Sequence, residues 1–444
     1  MAKKKESENA VAVVQQKSIG QITRDAYVDF GYYYNTHRHL AGLDGLKISY
    51  RRLIYSAMQF PKGKLAPSTT LINYVANFHP HGLTSMNEMS ASLYKSGIFA
   101  GEGSFGYTSI CGVKNPPANE RYTHTALSDL YWELMGDLIK EVPYSESPIG
   151  PLEPNYLPLP LPLCLYMKTL SSGMGVGISM IYPNFSAWSL YQAYLNNNPN
   201  LLEPNVDLIL DKSNSELDKL WSTGEGRVIY VYKISRQKSP DGKTDGILFE
   251  TKDGTEIFTP SLREFNKLEA EGKVFIEDLT DIDGAKLFIG RIPGARGITI
   301  DDIEKIAQKC CFKAIKFALN ITNGSSAFRI PLYNWIDYTY KNYISLITNV
   351  NKKRIDKCKF DILVQESIPV VAGFINSKPD ATDEEIVKAT KVPQEVVDII
   401  MSKPISYIRK NKDTSDRIKT LKDRLVNLQK FNAVKFTEEI IKKL

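Results

Sequence analysis

The stretch Asp44-Gly45-Leu46-Lys47-Ile48-Ser49-Tyr50-Arg51-Arg52 decides how this chain is read. A glycine turn runs into a helix whose first turns carry three cations. A helix N-terminus is already positive, so Lys47, Arg51 and Arg52 oppose its dipole unless an anion lies close. Phosphate is one such anion, because the free N–H groups of a helix start bind it. A solvated basic turn is the other reading, and the nine residues alone leave both open.

Working outward, Phe78-His79-Pro80-His81-Gly82 punctuates a loop, and Met86, Met89, Ser90 and Leu93 follow at helical spacing. Two histidines ahead of a polar helix start suit phosphate contact, metal binding or plain packing. No third ligand stands at a telling spacing, which ranks metal last. In Gly101-Glu102-Gly103-Ser104-Phe105-Gly106 the glycines allow close backbone approach. The segment reads as a tight turn, with no strand before it and no βαβ unit around it as a dinucleotide loop requires. Glu120-Arg121-Tyr122-Thr123-His124 pairs a phenol with a guanidinium. A phenol, with its ordinary pKa of about 10, needs help to act as a nucleophile. The neighbouring Arg can hold a phosphate oxygen; such a dipeptide is also common surface decoration. Gly173-Met174-Gly175-Val176-Gly177 lacks the following helix of a dinucleotide site and reads as a flexible loop presenting Met174. Asp281-Ile282-Asp283-Gly284 reads as a β-turn rather than a metal-binding acidic pair, and no P-loop occurs.

The 444 residues correspond to roughly three domains at about 150 residues each. With 43% hydrophobic and 24% charged residues the chain is of globular type, which excludes collagen-like, disordered and disulfide-scaffold classes. No apolar run reaches the roughly 18 residues of a membrane helix. The lysine-rich start has no apolar core behind it, so it reads as a solvated basic tail and not a secretory signal. Five cysteines without a Cys-x-x-Cys pair suggest a reduced intracellular protein. A net charge of +6 permits a nucleic-acid partner without demanding one. All five histidines precede residue 125, which hints that the chemistry lies there.

Residues up to about 145 read as mostly helical. From about 205 to 330 strand-like runs appear, at 227–233 and 246–250, with helices near 261–271 and 299–318. Beyond 331 the chain reads as helical, with one long helix over 333–353 ending at Lys352-Lys353-Arg354. Ile418, Leu421, Leu425 and Leu428 form a heptad seam. It predicts a dimer seam or a helix packed on its own core.

Taken in order, Asp-Gly-Leu-Lys-x-x-x-Arg-Arg, His-Pro-His-Gly, Gly-x-Gly-x-Phe-Gly, Arg-Tyr-Thr and Ser-Ser-Gly-x-x-Val-Gly resemble the breakage–reunion subunit of type IIA DNA topoisomerases. That family includes gyrase A, topoisomerase IV A and the medium subunit of the split bacteriophage enzyme. The motifs cover about residues 20–190; from 205 to 444 the likeness rests on element order. The length, with no domain after the heptad helix, looks most like the phage medium subunit.

The resemblance implies an α+β multidomain chain. It comprises a flexible basic tail (1–20), a winged-helix (helix-turn-helix type) DNA-cleavage domain (21–150), an α+β tower domain with a wedge loop near 171–178 (151–330), and long helices forming a coiled-coil C-gate (331–444). Tyr122 would attack a DNA phosphodiester and hold the 5′-phosphate, with Arg121 steadying it and Arg38 as the transition-state arginine. Lys47, Arg51 and Arg52 would hold the DNA backbone. His79, His81, Gly82 and Thr84 would lie at the DNA-recognition helix, and Met174 would intercalate. Ile48, Tyr50 and Leu83 depart from residues common in the family. The chain itself would carry no metal site. Mg2+ would come from a toprim domain and ATP from an ATPase domain, both on a large partner subunit. The other implied partners are double-stranded DNA and a second copy through the C-gate, with no membrane, in the cytoplasm of a phage-infected bacterial cell. The implied activity is ATP-dependent relaxation or decatenation. The alternative is a non-catalytic architectural protein of the same descent that binds and bends DNA.

Overall fold

The computed structural model describes residues 17–83, 85–108, 114–169, 171–251, 262–281, 284–404 and 414–444. It is a mixed α+β chain with several sheets and one very long helix. No helix among these residues is long and apolar enough to cross a membrane.

The first helix, Ile19–Tyr34, starts with a reciprocal capping box between Ser18 and Gln21. It buries only Gly31, so Ile19, Ile22, Tyr27, Val28 and Phe30 face solvent. A single π-turn, Asn35–His39, ends it. The cationic helix Ile48–Ala57 then packs Leu53, Ile54 and Ala57 into the core, followed by helices Ser68–Val75 and Met86–Lys95. These lie beside a three-stranded antiparallel sheet in the order Ala66–Pro67, His124–Leu127, Phe99–Glu102. A strand therefore does lead into the glycine segment at 101, contrary to the expected bare turn. Four residues are too short to display alternation, and pairing Phe99 with Leu127 across the ladder creates the strand. The pairing is antiparallel, so no βαβ unit arises.

In the middle of the chain a five-stranded sheet runs Ile209–Leu210, Glu225–Val231, Phe312–Ala318, Ser179–Tyr182, Ser171–Met174. A four-stranded antiparallel sheet runs Lys233–Lys238, Asp245–Thr251, Ala285–Arg291, Val274–Asp278. The expected helix over 299–318 is half right. Its first part is the helix Ile300–Cys310, capped by Thr299 and Asp302, but Phe312–Ala318 is a strand. The pairing of all seven of its residues with Glu225–Val231 overrides local propensity.

The long helix is Leu332–Ser377, passing the expected stop at Arg354 and running through Pro369. The basic run does not end it because its apolar face continues through Cys358, Ile362 and Val364. Helix Ser415–Gln429 lies antiparallel on it: Asn351 meets Leu428, Cys358 meets Leu421 and Thr414 meets Gln365. Ile418, Leu421, Leu425 and Leu428 are the partly covered positions of that helix. The heptad face is thus engaged within the chain, which corrects its reading as a dimer seam. Farther out, Val364, Ile368, Val371 and Ile375 form a separate small core with Ile386, Val396, Val397 and Ile400.

Trp335 joins the long helix to the cationic region. It is fully buried, donates from Nε1 to the Leu43 carbonyl at 2.8 Å and meets the Tyr182 ring edge-on at 5.4 Å. Trp335→Ala is expected to cost about 3–5 kcal/mol of unfolding free energy, as other buried aromatic truncations do. Chemical denaturation followed by circular dichroism checks this, and a loss below about 1 kcal/mol would contradict it.

Candidate active site

The anions that the cationic helix requires are in the chain itself. Arg51 makes a two-pronged ion pair with the buried carboxylate of Asp44, Nε at 2.8 Å and Nη2 at 2.9 Å. Arg52, only 4% exposed, makes the same arrangement with Glu153 at 2.7 Å on both prongs. Lys47 is half-buried and donates to the Ser172 carbonyl at 2.7 Å. Burial lowers its pKa below the ordinary lysine value. Of the three cations expected to grip a DNA backbone, two are therefore neutralised by carboxylates and the third braces a loop. Asp44 lay inside the quoted motif. Glu153, between two prolines and 101 residues from Arg52, carried no local signal.

Arg51, Arg52 and Glu153 line a cleft of about 780 Å3. His37, Arg38, His79 and His81 line it too, with Glu146, Asn155, Tyr156 and Thr322. Arg38 lies in the π-turn with its guanidinium 5.8 Å from the Tyr34 ring centroid. Among the described residues it has no carboxylate partner, so its charge is free to meet an anion. Arg52 Nη1 donates to His79 Nδ1 at 3.2 Å, which needs a neutral ring. His79 stacks edge-on with His81 at 5.0 Å. Burial first, then Arg52, His81 and Arg38, push the His79 pKa down to about 4. Burial, Arg38 and Arg52 lower that of His81 as well. Gly82 is exposed, with open space where a side chain would stand. Thr84 lies outside the described residues.

Tyr122 and Arg121 line no part of this cleft. They occupy a one-turn 3-10 helix, Glu120–Tyr122, capped by Asn119. Tyr122 is 66% exposed, and the Arg121 guanidinium lies 5.0 Å from its ring centroid. The turn is held from behind. Thr123 is buried, its hydroxyl donating to Ser68 at 2.8 Å while its carbonyl accepts from Ser68 N at 2.9 Å. Asn87 donates to the Ala118 carbonyl at 3.0 Å. Gly103 has φ of +108°, and a Cβ there would sit 2.9 Å from the Tyr122 carbonyl, so a glycine is needed. Sequence reasoning missed Ser68, Asn87 and Asn119, which support the turn from separate segments.

Met174 ends the strand Ser171–Met174 of a β-hairpin whose other strand is Ser179–Tyr182, and it is 78% exposed. The expected flexible loop is a paired hairpin. Glycines at its tip hid the ladder in the sequence.

With this geometry in place, the family of DNA gyrase/topoisomerase IV A subunits matches residues 40–239. Residues 40–239 of the chain are similar to that family. The chain is 26% identical over 303 residues to the DNA topoisomerase 4 A subunit of Streptococcus pneumoniae, covering 62% of this chain and 36% of that one. The Staphylococcus aureus protein of the same name is 22% identical over 427 residues, covering 88% of this chain and 49% of the relative. The Streptococcus pyogenes protein is 27% identical over 259 residues, covering 53% and 31%. The chain thus spans between about a third and a half of the length of these relatives.

Two outcomes follow from the cleft. Arg52→Ala strands the Glu153 carboxylate and is expected to cost about 3–5 kcal/mol in urea unfolding. A cost under about 1 kcal/mol would show the pair to be dispensable. His79 in the unfolded chain takes up a proton below about pH 6.5, while the folded ring stays neutral to about pH 4. Its contribution to stability is therefore present above that window and is lost as pH falls through it. Denaturation midpoints measured across the window should fall less steeply for His79→Gln; an unchanged slope would contradict the assignment.

Proposed function

We propose that this chain is the DNA-cleaving and religating subunit of a type II DNA topoisomerase. The observation that carries this reading is the solvent-presented Tyr122 phenol, with the Arg121 cation beside it on a braced turn. Tyr122 Oη would attack phosphorus of a backbone phosphodiester. The P–O3′ bond breaks, the 3′-oxygen leaves and takes up a proton, and the phenolic proton passes to solvent. The 5′-phosphate stays esterified to tyrosine, so its bond energy is kept for religation by the reverse step. Arg121 is suited to neutralise the phosphate oxygens as charge develops.

Three helices and an antiparallel strand pair, with Tyr122 on the connection between the strands, support the winged-helix assignment. In that reading His81 and Gly82 approach DNA ahead of helix Met86–Lys95. Arg38 remains the cation for the reacting phosphate. Arg51, Arg52 and His79 serve as the rigid wall behind it rather than as direct phosphate ligands. Because Tyr122 and the Arg38 cleft are lined separately, a homodimer that brings one copy's turn to the other's cleft would complete each site. The small core at the far end of the long helix, with Leu363, Val370 and Ile399 exposed near it, is the proposed gate contact.

Among the described residues no group of three or more His, Cys, Asp or Glu is placed to hold a metal ion. The described side chains therefore offer no Mg2+ site, and the steps assigned to this chain are carried by its own residues. Mg2+ and ATP are assigned to a large toprim/ATPase partner chain, as in the split phage-type enzyme. Met174 is the proposed wedge: an apolar side chain unstacking a base step costs a few kcal/mol, offset by contacts to bent DNA. Together these parts would relax or decatenate DNA by passing one duplex through another.

The test is covalent capture. The chain, its toprim/ATPase partner, Mg2+ and supercoiled plasmid are mixed, quenched with detergent and digested with protease. Linear DNA that disappears with Tyr122→Phe, while DNA binding persists, is the expected result. DNA that is bound and bent but never linked, with competent partners present, would favour the architectural reading instead.

A further inference from the structure

The hairpin that presents Met174 is gripped from outside its own ladder. Asn35 Nδ2 donates to the Val176 carbonyl at 2.9 Å, and Val176 N donates to Asn35 Oδ1 at 2.8 Å. One side-chain amide thus reads both backbone groups of a single residue at the hairpin tip, 141 positions away in sequence. Only one orientation of the amide satisfies both bonds. Asn35 opens the π-turn Asn35–His39, a form of helix widening that recurs at functional positions.

The surroundings are shaped to this grip. A Cβ on Gly175 would lie 2.1 Å from Asn35 Oδ1, and one on Gly31 would lie 3.2 Å from Val176 Cγ1. Along the hairpin His39, stacked on Tyr34 at 5.1 Å, rests against Gly173. Lys47 holds the Ser172 carbonyl. Met174 itself makes no part of these bonds and remains the exposed point of the assembly.

We propose that Asn35 is a positioning residue for the Met174 wedge: its paired hydrogen bonds to Val176 fix the hairpin tip in the shape that enters DNA. The proposal rests on Met174 acting as a wedge. A wedge on a loose tip must be ordered at the moment of insertion, and that ordering opposes bending. Asn35 does this ordering in advance. The effect should fall on the equilibrium between straight and bent bound DNA, and much less on initial binding, which depends on cations elsewhere.

The experiment uses the full chain and a short duplex carrying a fluorophore at each end, at saturating protein, with energy transfer reporting the bend. Two variants break the clamp from opposite sides, Asn35→Ala and Gly175→Ala, and Asn35→Asp keeps the acceptor while losing the donor. Each alanine variant is expected to lower the bent-to-straight ratio by about 5- to 30-fold, the factor carried by two hydrogen bonds. Asn35→Asp should fall between them and the parent, with all three variants folded by circular dichroism and unfolding cooperatively. If folded Asn35→Ala and Gly175→Ala bend DNA like the parent while Met174→Ala does not, the clamp proposal is overturned and the wedge stands. If Met174→Ala also bends DNA like the parent, the wedge reading fails and the clamp's role falls with it.

Discussion

The carboxylate of Asp44 ties together the segments on which the candidate site is built. It is buried and accepts from both prongs of Arg51, from Leu46 N at 3.1 Å and from Leu157 N at 2.9 Å. It therefore fixes the glycine turn, the cationic helix and the proline-rich segment after residue 157 to one another. Gly45 completes the joint. Its φ is +77°, and a Cβ there would stand 2.4 Å from Leu163 N. A buried ion pair adds little net stability over an apolar replacement, because desolvation offsets its attraction. Its value lies in geometry: removing either partner leaves a charge stranded in the core. Arg52 and Glu153 repeat the device one residue along, so two consecutive arginines staple two separate strands of chain to one helix.

That constraint explains how the cleft's charge is distributed. Arg51 and Arg52 are spent on carboxylates, and His79 accepts a hydrogen bond from Arg52 and is held neutral. Arg38 faces the cleft without a carboxylate partner among the described residues, carried on a π-turn whose first residue grips the Met174 hairpin. One short segment, Asn35–His39, thus touches both the anion-facing cation and the exposed apolar tip. The Tyr122 turn is supported independently, through Thr123, Ser68 and Asn87. The Tyr122 turn and the cationic cleft are thus two separately supported parts.

The sequence pointed to exposed candidate residues more readily than to the contacts that hold them. Tyr122, Arg121, Arg38 and Met174 stood out through motif order and spacing, and all four lie exposed or facing a cleft, as the proposed roles require. The roles of Arg51 and Arg52 were misjudged, since a cation at a helix start looks the same whether its anion is DNA or a distant glutamate. Helix Met86–Lys95 announced itself through apolar spacing, and the first half of the helix expected near 299–318 is Ile300–Cys310. The strand Phe312–Ala318 did not, because its partner lies some 80 residues upstream in the ladder with Glu225–Val231. The heptad of Ile418 to Leu428 gave the buried face correctly and left its partner open; the partner is the chain's own long helix.

The central claim is that Tyr122 makes and breaks the DNA backbone bond. The most direct measurement is mass spectrometry of the protein–DNA adduct, after nuclease and protease digestion of complexes quenched during turnover with Mg2+ and the toprim/ATPase partner. The account predicts a peptide containing Arg121 and Tyr122 with a nucleotide joined through its 5′-phosphate to the tyrosine oxygen. A nucleotide on any other residue, or a 3′ linkage, would contradict it.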